Sequence, residues 1–104
     1  MLDLNKIAKD SWEIAQKRGK HGLPTDTIGV LKWLSGEVVE ATDAYKEYQN
    51  VTTSNKLDSY KSELADIIVC VLIAAANSNI DIEHALKDCV EKNRKRSLGI
   101  GDKW

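Results

Sequence analysis

The chain has 104 residues, with 15 Lys and Arg against 16 Asp and Glu, and a formal net charge of −1. This length predicts one domain, residues 1–104, that buries a core without disulfides or a structural metal. Near neutrality excludes binding to nucleic acid through an overall positive field, and the longest apolar run, residues 67–76, is too short to span a bilayer. Neither nucleic acid nor a membrane is therefore an expected partner.

An all-α fold of four helices is predicted, because the chain has one Pro and no Phe whereas β-sandwiches need frequent turns and aromatic pairs. The first helix covers about residues 4–17 and stops before Gly19. The second begins at one of Thr25, Asp26 or Thr27 and runs to about residue 50. Its apolar residues recur at steps of three and four and predict one buried face, made of Leu31, Leu34, Val38, Ala41, Tyr45 and Tyr48.

The third predicted helix, about residues 56–76, becomes apolar around its whole circumference from Ile67 onward. A helix of this kind is buried on more than one side, so we expect a second copy of the chain to complete the bundle. A homodimer or a homotetramer, as a dimer of dimers, is predicted. The fourth helix is capped by Asp81 and runs to about residue 96.

Four acidic residues lie beside the predicted apolar faces. Glu37 and Glu40 are three residues apart on the second helix, and Glu63 and Asp66 repeat this spacing on the third. If the two helices pack antiparallel, all four carboxylates converge and require a cation, which predicts a Mg²⁺ site. Iron is disfavoured because no Glu-x-x-His pair is present. The alternative is that the acids are solvated and paired with lysines at positions 32, 46 and 61.

The acidic segments at residues 34–41 (LSGEVVEA) and 63–68 (ELADII) resemble the ExxE...ExxD pattern of the MazG-like all-α nucleoside triphosphate pyrophosphohydrolases. The resemblance extends over nearly the whole chain, including residues 17–19, 79–83 and 93–96. It implies a four-helix MazG-like bundle that hydrolyses a (deoxy)nucleoside triphosphate to the monophosphate and pyrophosphate. It also implies that the catalytic metal ligands are Glu37, Glu40, Glu63 and Asp66, with Mg²⁺ as cofactor and Mn²⁺ as a substitute.

The same resemblance suggests which residues contact the nucleotide. Asn93 and Arg96 match the family's Asn-x-x-Arg and are expected, with Lys92, to bind phosphate. Cys89 stands where many members have Lys, which puts the strength of triphosphate binding in question. Residues 87–104 carry a net charge of +3 against −4 for residues 37–66, consistent with a basic phosphate-facing end. Candidate base contacts are the aromatic and imidazole side chains of Trp12, His21 and Trp33.

Other interpretations of the sequence remain. Cys70 and Cys89 have no metal-ligand spacing and no secretory signal is visible, so reduced thiols and a cytoplasmic location are expected. Phosphoribosyl-ATP is an alternative substrate on the same fold. A non-enzymatic helical interaction module, or a degenerate member that binds metal without turnover, is the alternative from another functional class.

Overall fold

The computed structural model describes residues 2–19, 22 and 24–97. It contains four helices, named in chain order: α1 (Leu4–Arg18), α2 (Thr27–Asn50), α3 (Ser54–Asn77) and α4 (Ile82–Ser97). No strand occurs in these described residues. The all-α fold with four helices is therefore confirmed, whereas completion of the bundle by a second copy stays a prediction.

Each helix begins at a short polar side chain that accepts a hydrogen bond from the backbone N–H three residues later, at 3.0–3.3 Å. This bond satisfies one of the amides that the first helical turn leaves without a partner. Of the three candidates for the start of α2, Asp26 is the cap. α3 begins two residues earlier than predicted, since Thr53 caps it. The four caps are Asp3, Asp26, Thr53 and Asp81.

The α3–α4 connection reverses at Asn79, which has a positive φ of 57°. The Ile80 N–H donates to the Ala75 carbonyl at 2.9 Å and the Asn79 N–H donates to the Ala76 carbonyl at 3.2 Å. These two bonds form a Schellman motif, in which Asn replaces the usual glycine. The motif ends α3 sharply, and α4 leaves at an angle of 116° to it.

α2 and α3 lie antiparallel and make the most extensive helix contact. At one end the Asn77 side-chain amide donates to the Thr27 hydroxyl at 2.8 Å. At the other end the rings of Tyr45 and Tyr60 lie 5.1 Å apart between centroids. α1 packs on the C-terminal half of α3, where the Trp12 indole N–H donates to Asn77 at 3.0 Å.

The core is small and lies where α1, α2 and α3 meet. It consists of Ala15, Val30, Ile73 and Ala74, with Trp12, Trp33 and Val69 packed against it. Burying these side chains supplies the main stabilising free energy of the three-helix unit.

The predicted buried face of α2 is partly wrong. Leu31, Val38 and Tyr45 are exposed, and only Ala41 is fully buried, with Leu34 and Tyr48 half-buried. The fully buried residues of α2 are Val30, Glu37 and Ala41, so Glu37 rather than Val38 faces inward. The inward face of α2 is therefore rotated relative to the predicted face. The reason is that the acidic side chain of Glu37, which hydropathy assigns to solvent, is oriented toward α3.

α3 is also less covered than its composition predicts. Leu64, Ile68 and Val71 are exposed, although five other residues of this helix are buried. No single described helix is long and apolar enough to cross a membrane; α3 and α4 reach that length and apolarity only as a bent pair.

Candidate active site

Three of the four predicted acids meet between α2 and α3. Glu37, Glu63 and Asp66 each place one carboxylate oxygen so that all three oxygens lie within 4.8 Å of one another. Glu37 is buried, with 8% of its surface exposed, Glu63 is half-buried and Asp66 is exposed. The antiparallel packing of the two helices therefore brings one acid of the α2 pair together with both acids of the α3 pair.

Glu40, the fourth acid, is exposed and lies outside this three-oxygen group. It is nevertheless close enough to influence the others electrostatically. Burial raises the pKa of Glu37 above its ordinary value, and the charge of Glu40 raises it further. Burial also raises the pKa of Glu63, followed by the charges of Glu40 and Asp66. All four carboxylates thus form one mutually repelling group.

No protein cation compensates this negative charge in the described part of the chain. The Oε2 atoms of Glu37 and Glu63 are buried and accept no hydrogen bond. The salt bridges of the described residues lie elsewhere and join Lys6 to Asp10, Lys56 to Glu47, His84 to Asp88, and Arg94 to Glu91. None of them includes the lysines at positions 32, 46 and 61, which could have neutralised the acids. Buried acceptors without a donor are costly, so this arrangement fits a bound cation.

The donor chemistry selects the kind of cation. Carboxylate oxygens are hard ligands that suit Mg²⁺ and Mn²⁺. Cys70 lies one helical turn beyond Asp66, but burial and then the charges of Glu37 and Asp66 raise the pKa of its thiol to about 11. It therefore stays protonated at neutral pH and offers no thiolate, the form in which sulfur binds metals. The residues present fit a magnesium ion.

A cleft of about 420 Å³ opens beside the acids. Residues of α1, α2 and α3 line it. Its lining combines apolar side chains with two of the three acids of the neighbouring group and one arginine: Ser11, Ile14, Ala15, Arg18, Trp33, Glu37, Asp66, Val69 and Ile73. Such a cleft, apolar with a few polar groups that converge, is typical of a small-molecule site.

Among the candidate base contacts, Trp33 lies in this cleft. Trp12 lines a different cavity between α1 and the end of α3, together with Asn5 and Lys9. Its indole N–H is already bonded to Asn77. His21 lies outside the described residues.

The predicted phosphate contacts are on α4, away from the acids. Lys92 is exposed, whereas Asn93 and Arg96 are half-buried, and Asn93 donates to Cys89 Sγ at 3.7 Å. α4 packs mainly against α1, has no buried residue and contributes nothing to the described lining of the cleft. Within one chain, then, the structure does not bring these three residues to the acids.

Arg18 is the charged cleft residue that was not identified from the sequence as a site residue. The only sequence signal was its position between Lys17 and Gly19 at the end of α1. Nothing in the sequence separates it from the adjacent Lys17, because both are basic residues in the last turn of a helix. Only the packing of α1 against α3 places one of them in the cleft.

A comparison with protein-family models returns the MazG nucleotide pyrophosphohydrolase domain, matched over residues 26–99. The chain belongs to this family. The match begins at the N-cap of α2 and includes all four acids of this MazG domain, while α1 precedes it. Searches of curated proteins and of solved structures return no significant match. The family assignment supports a hydrolase of the nucleotide pyrophosphohydrolase type.

Proposed function

We propose that the protein hydrolyses a (deoxy)nucleoside triphosphate to the nucleoside monophosphate and pyrophosphate in a Mg²⁺-dependent reaction. The observation that carries the proposal is the group of three carboxylate oxygens within 4.8 Å, two of whose side chains have a buried oxygen without a donor. This group borders an open cleft in a chain of the MazG family. Mn²⁺ is expected to substitute, because it prefers the same oxygen ligands.

Glu37, Glu63 and Asp66 would hold the metal, and Glu40 would contribute charge from the next turn of α2. When bound, Mg²⁺ supplies Lewis-acid stabilisation of the phosphate oxygens and lowers the pKa of a coordinated water. Glu37 is buried and places one carboxylate oxygen within 4.8 Å of oxygens of Glu63 and Asp66. An acid of the group not engaged with metal orients the attacking water by accepting its hydrogen bond.

The direct test follows pyrophosphate release from the common dNTPs and NTPs and from phosphoribosyl-ATP, with Mg²⁺. We expect release from at least one nucleoside triphosphate, and loss of it in Glu63→Gln. Glu47→Gln is the control, since Glu47 is an exposed α2 acid that pairs with Lys56 outside the cleft. Release from phosphoribosyl-ATP alone would favour the alternative substrate, and no release from any compound would contradict the proposal.

Thermal melting separates a metal site from an acidic interaction face. A ligand that binds only the folded state raises stability as its concentration increases, so Mg²⁺ should shift the Tm upward in the wild type. Glu63→Gln should reduce this shift and Glu47→Gln should retain it. An equal shift in all three proteins would indicate a general salt effect, which favours the interaction module.

Turnover gained by Cys89→Lys would support a weakened phosphate site.

We also propose that the functional unit is a homodimer or homotetramer. The radius of gyration is 16.2 Å, against about 13 Å for a compact domain of this length. Large apolar side chains remain exposed on α2, α3 and α4, among them Val39, Ile68 and Val90 at 55–59% exposure. A second copy covering them would bury this surface. Light scattering after size exclusion tests the proposal, and a monomer at micromolar concentration would contradict it.

A cytoplasmic location is part of the proposal. Its support is that Cys70 and Cys89 are free thiols, one buried and one exposed. Free thiols are typical of a reducing compartment. Fractionation of the native host, with the protein detected by antibody, checks this expectation.

A further inference from the structure

The acidic end of the cleft lacks a phosphate-binding cation from α4. A nucleoside triphosphate carries more negative charge than one Mg²⁺ neutralises, and protein cations usually contact the remaining phosphate oxygens. Along the described lining of the cleft, Arg18 is the only Lys or Arg. It is therefore the one basic side chain that α1, α2 and α3 offer to a ligand bound there.

The Arg18 guanidinium has no partner within the described structure. It forms no salt bridge and no hydrogen bond there, although Glu37 and Asp66 line the same cleft. Helix-terminal stabilisation does not by itself explain the position, because the adjacent Lys17 supplies the same charge to the last turn of α1 without lining the cleft.

The order of residues along the helices gives the cleft a direction. α1 runs antiparallel to α3, since Ala8 lines a cavity with Ala76 and Ile80 past the end of α3, whereas Arg18 lines the cleft that extends back to Asp66. Moving toward Arg18 on α1 therefore corresponds to moving from Ile73 through Val69 to Asp66 on α3. Seven residues of helix separate Ile73 from Asp66, a rise of about 10 Å. The end of the cleft near Ile73 and Val69 is apolar, and Arg18 is the lining residue of α1 that lies furthest toward the end with Asp66.

An independent observation indicates that a ligand binds at the charged end. Glu37 is more than nine-tenths buried, and its Oε2 atom lacks any hydrogen-bond partner. A bound cation would satisfy this oxygen, and the phosphates that accompany such a cation would then lie within reach of a guanidinium. Planar guanidinium groups bind phosphate through two parallel N–H donors, which gives geometric specificity.

We propose that Arg18 binds the phosphates of the nucleotide substrate within the same chain, at the acidic end of the cleft, so that the base extends toward Trp33 and Ile73. This inference rests on the proposed function and identifies which part of the substrate each end of that site accepts. Arg18 belongs to α1, which precedes the family match at residues 26–99.

The test measures binding of pyrophosphate by calorimetry at saturating Mg²⁺, in wild type, Arg18→Ala, Arg18→Gln and the control Lys17→Ala. We expect Arg18→Ala and Arg18→Gln to weaken binding by about 10- to 100-fold, the range for a charged hydrogen bond. Lys17→Ala removes an equal charge from the same helix end, but Lys17 does not line the cleft. The pyrophosphate affinity of this variant should therefore stay within about twofold of wild type. Affinity for Mg²⁺ alone should not change in any variant.

Arg18→Lys distinguishes a bidentate contact from a simple charge. We expect it to recover only part of the affinity, since an ammonium group is a point charge without the planar fork. Circular dichroism checks that each variant folds, and Arg18→Gln retains most of the side-chain length if Arg18→Ala does not fold. In turnover assays KM should rise for the Arg18 variants by about the same factor as the pyrophosphate Kd.

Two results would overturn this inference. Arg18→Gln and Lys17→Ala with equal pyrophosphate affinities would exclude the phosphate contact. A wild type that hydrolyses nucleotides while Arg18→Gln keeps its KM would do the same and leave the proposed function intact. A wild type with neither pyrophosphate binding nor turnover would overturn both proposals together.

Discussion

The three-helix unit of α1, α2 and α3 and the fourth helix are built differently. The unit has the buried core, the acidic group and the cleft, whereas α4 has no buried residue. α4 is attached at its first turn by polar contacts with α1, in which the Leu4 N–H donates to Glu83 at 2.8 Å and Asn5 donates to Asp81 at 2.9 Å. The two carboxylate pairs thus lie on helices that pack around the core, while α4 contacts its own chain mainly through α1.

This difference places the candidate metal ligands in the folded three-helix unit. The role of the charged residues of α4 depends on what else this helix contacts. A second copy of the chain is the proposed partner.

Substitutions in the three-helix unit and on α4 should differ most in their effect on catalysis. Asp66→Asn removes a proposed metal ligand in the cleft, so we expect kcat/KM for pyrophosphate release to fall by about 10²- to 10³-fold. Asp88→Asn removes an exposed acid of α4 that pairs with His84. Its effect should be less than about twofold. Comparable losses in both variants would mean that α4 takes part directly in the acidic site.

The second largest difference between the two regions should be in the effect of substitutions on the free energy of unfolding. Ile73→Ala removes a side chain that is 3% exposed between α1, α2 and α3, and we expect a loss of about 2–4 kcal/mol in the free energy of unfolding. Leu86→Ala, at 43% exposure on α4, should cost about 1 kcal/mol or less in a monomer. Urea denaturation at several protein concentrations measures both. A larger loss for Leu86→Ala that increases with concentration would place α4 in a subunit interface.

Much of this organisation could be predicted locally. Helix starts follow from single residues such as Asp81, whose carboxylate accepts a backbone hydrogen bond wherever the following residues are helical. The meeting of Glu37 with Glu63 and Asp66 also follows, because a short connection makes neighbouring helices antiparallel. The family resemblance of these acids is supported by the match over residues 26–99.

The remaining features depend on tertiary contacts. Glu37 rather than Val38 lies on the inward face of α2, against hydropathy. The packing of α2 on α3 decides which face is buried, and hydrophobic periodicity does not contain that information. Arg18 and Lys17 are equivalent in sequence and differ only in which of them lies over the cleft. Similarly, the charge of α4 predicted a phosphate-facing end, but charge alone does not fix the direction in which a helix leaves Asn79.

The acidic group should make the metal-free protein sensitive to pH in a way that α4 acids do not. The pKa values of Glu37 and Glu63 are raised, chiefly by burial and next by Glu40. A raised folded-state pKa contributes stability that is complete below the ordinary value of 4.5 and is lost as pH rises through the raised value. In EDTA, the Tm should therefore fall as pH increases from about 4.5 toward neutrality.

Glu37→Gln should reduce this fall, because the amide stays neutral at every pH, while Glu91→Gln on α4 should keep it. Mg²⁺ added at neutral pH should raise the Tm of the wild type and of Glu91→Gln more than that of Glu37→Gln. Melting curves across this pH range, with and without the metal, measure both effects. A Tm that rises with pH in EDTA for the wild type would contradict the assignment of repulsion to this site.

The smallest expected effect concerns the attachment of α4. The Asn5 side-chain oxygen accepts from the Ile82 N–H at 3.1 Å, and its amide donates to Asp81, an interaction that is the main cause of the lowered pKa of Asp81. Asn5→Ala removes these bonds, so amide exchange in the first turn of α4 should accelerate by about 2- to 10-fold while α3 stays unchanged.

The pH dependence of this attachment has the opposite sign to that of the acidic group. A lowered pKa gives stability that is present above the ordinary value of 3.8 and is lost as pH falls through the lower folded value. Asn5→Ala should return the pKa of Asp81 toward 3.8 and reduce this acid-induced loosening. Lys9→Ala, on the same helix, is the control. If exchange in α4 is equally fast in Asn5→Ala, Lys9→Ala and wild type, then contacts other than those of Asn5 hold α4, and the partner copy becomes the leading explanation for its position.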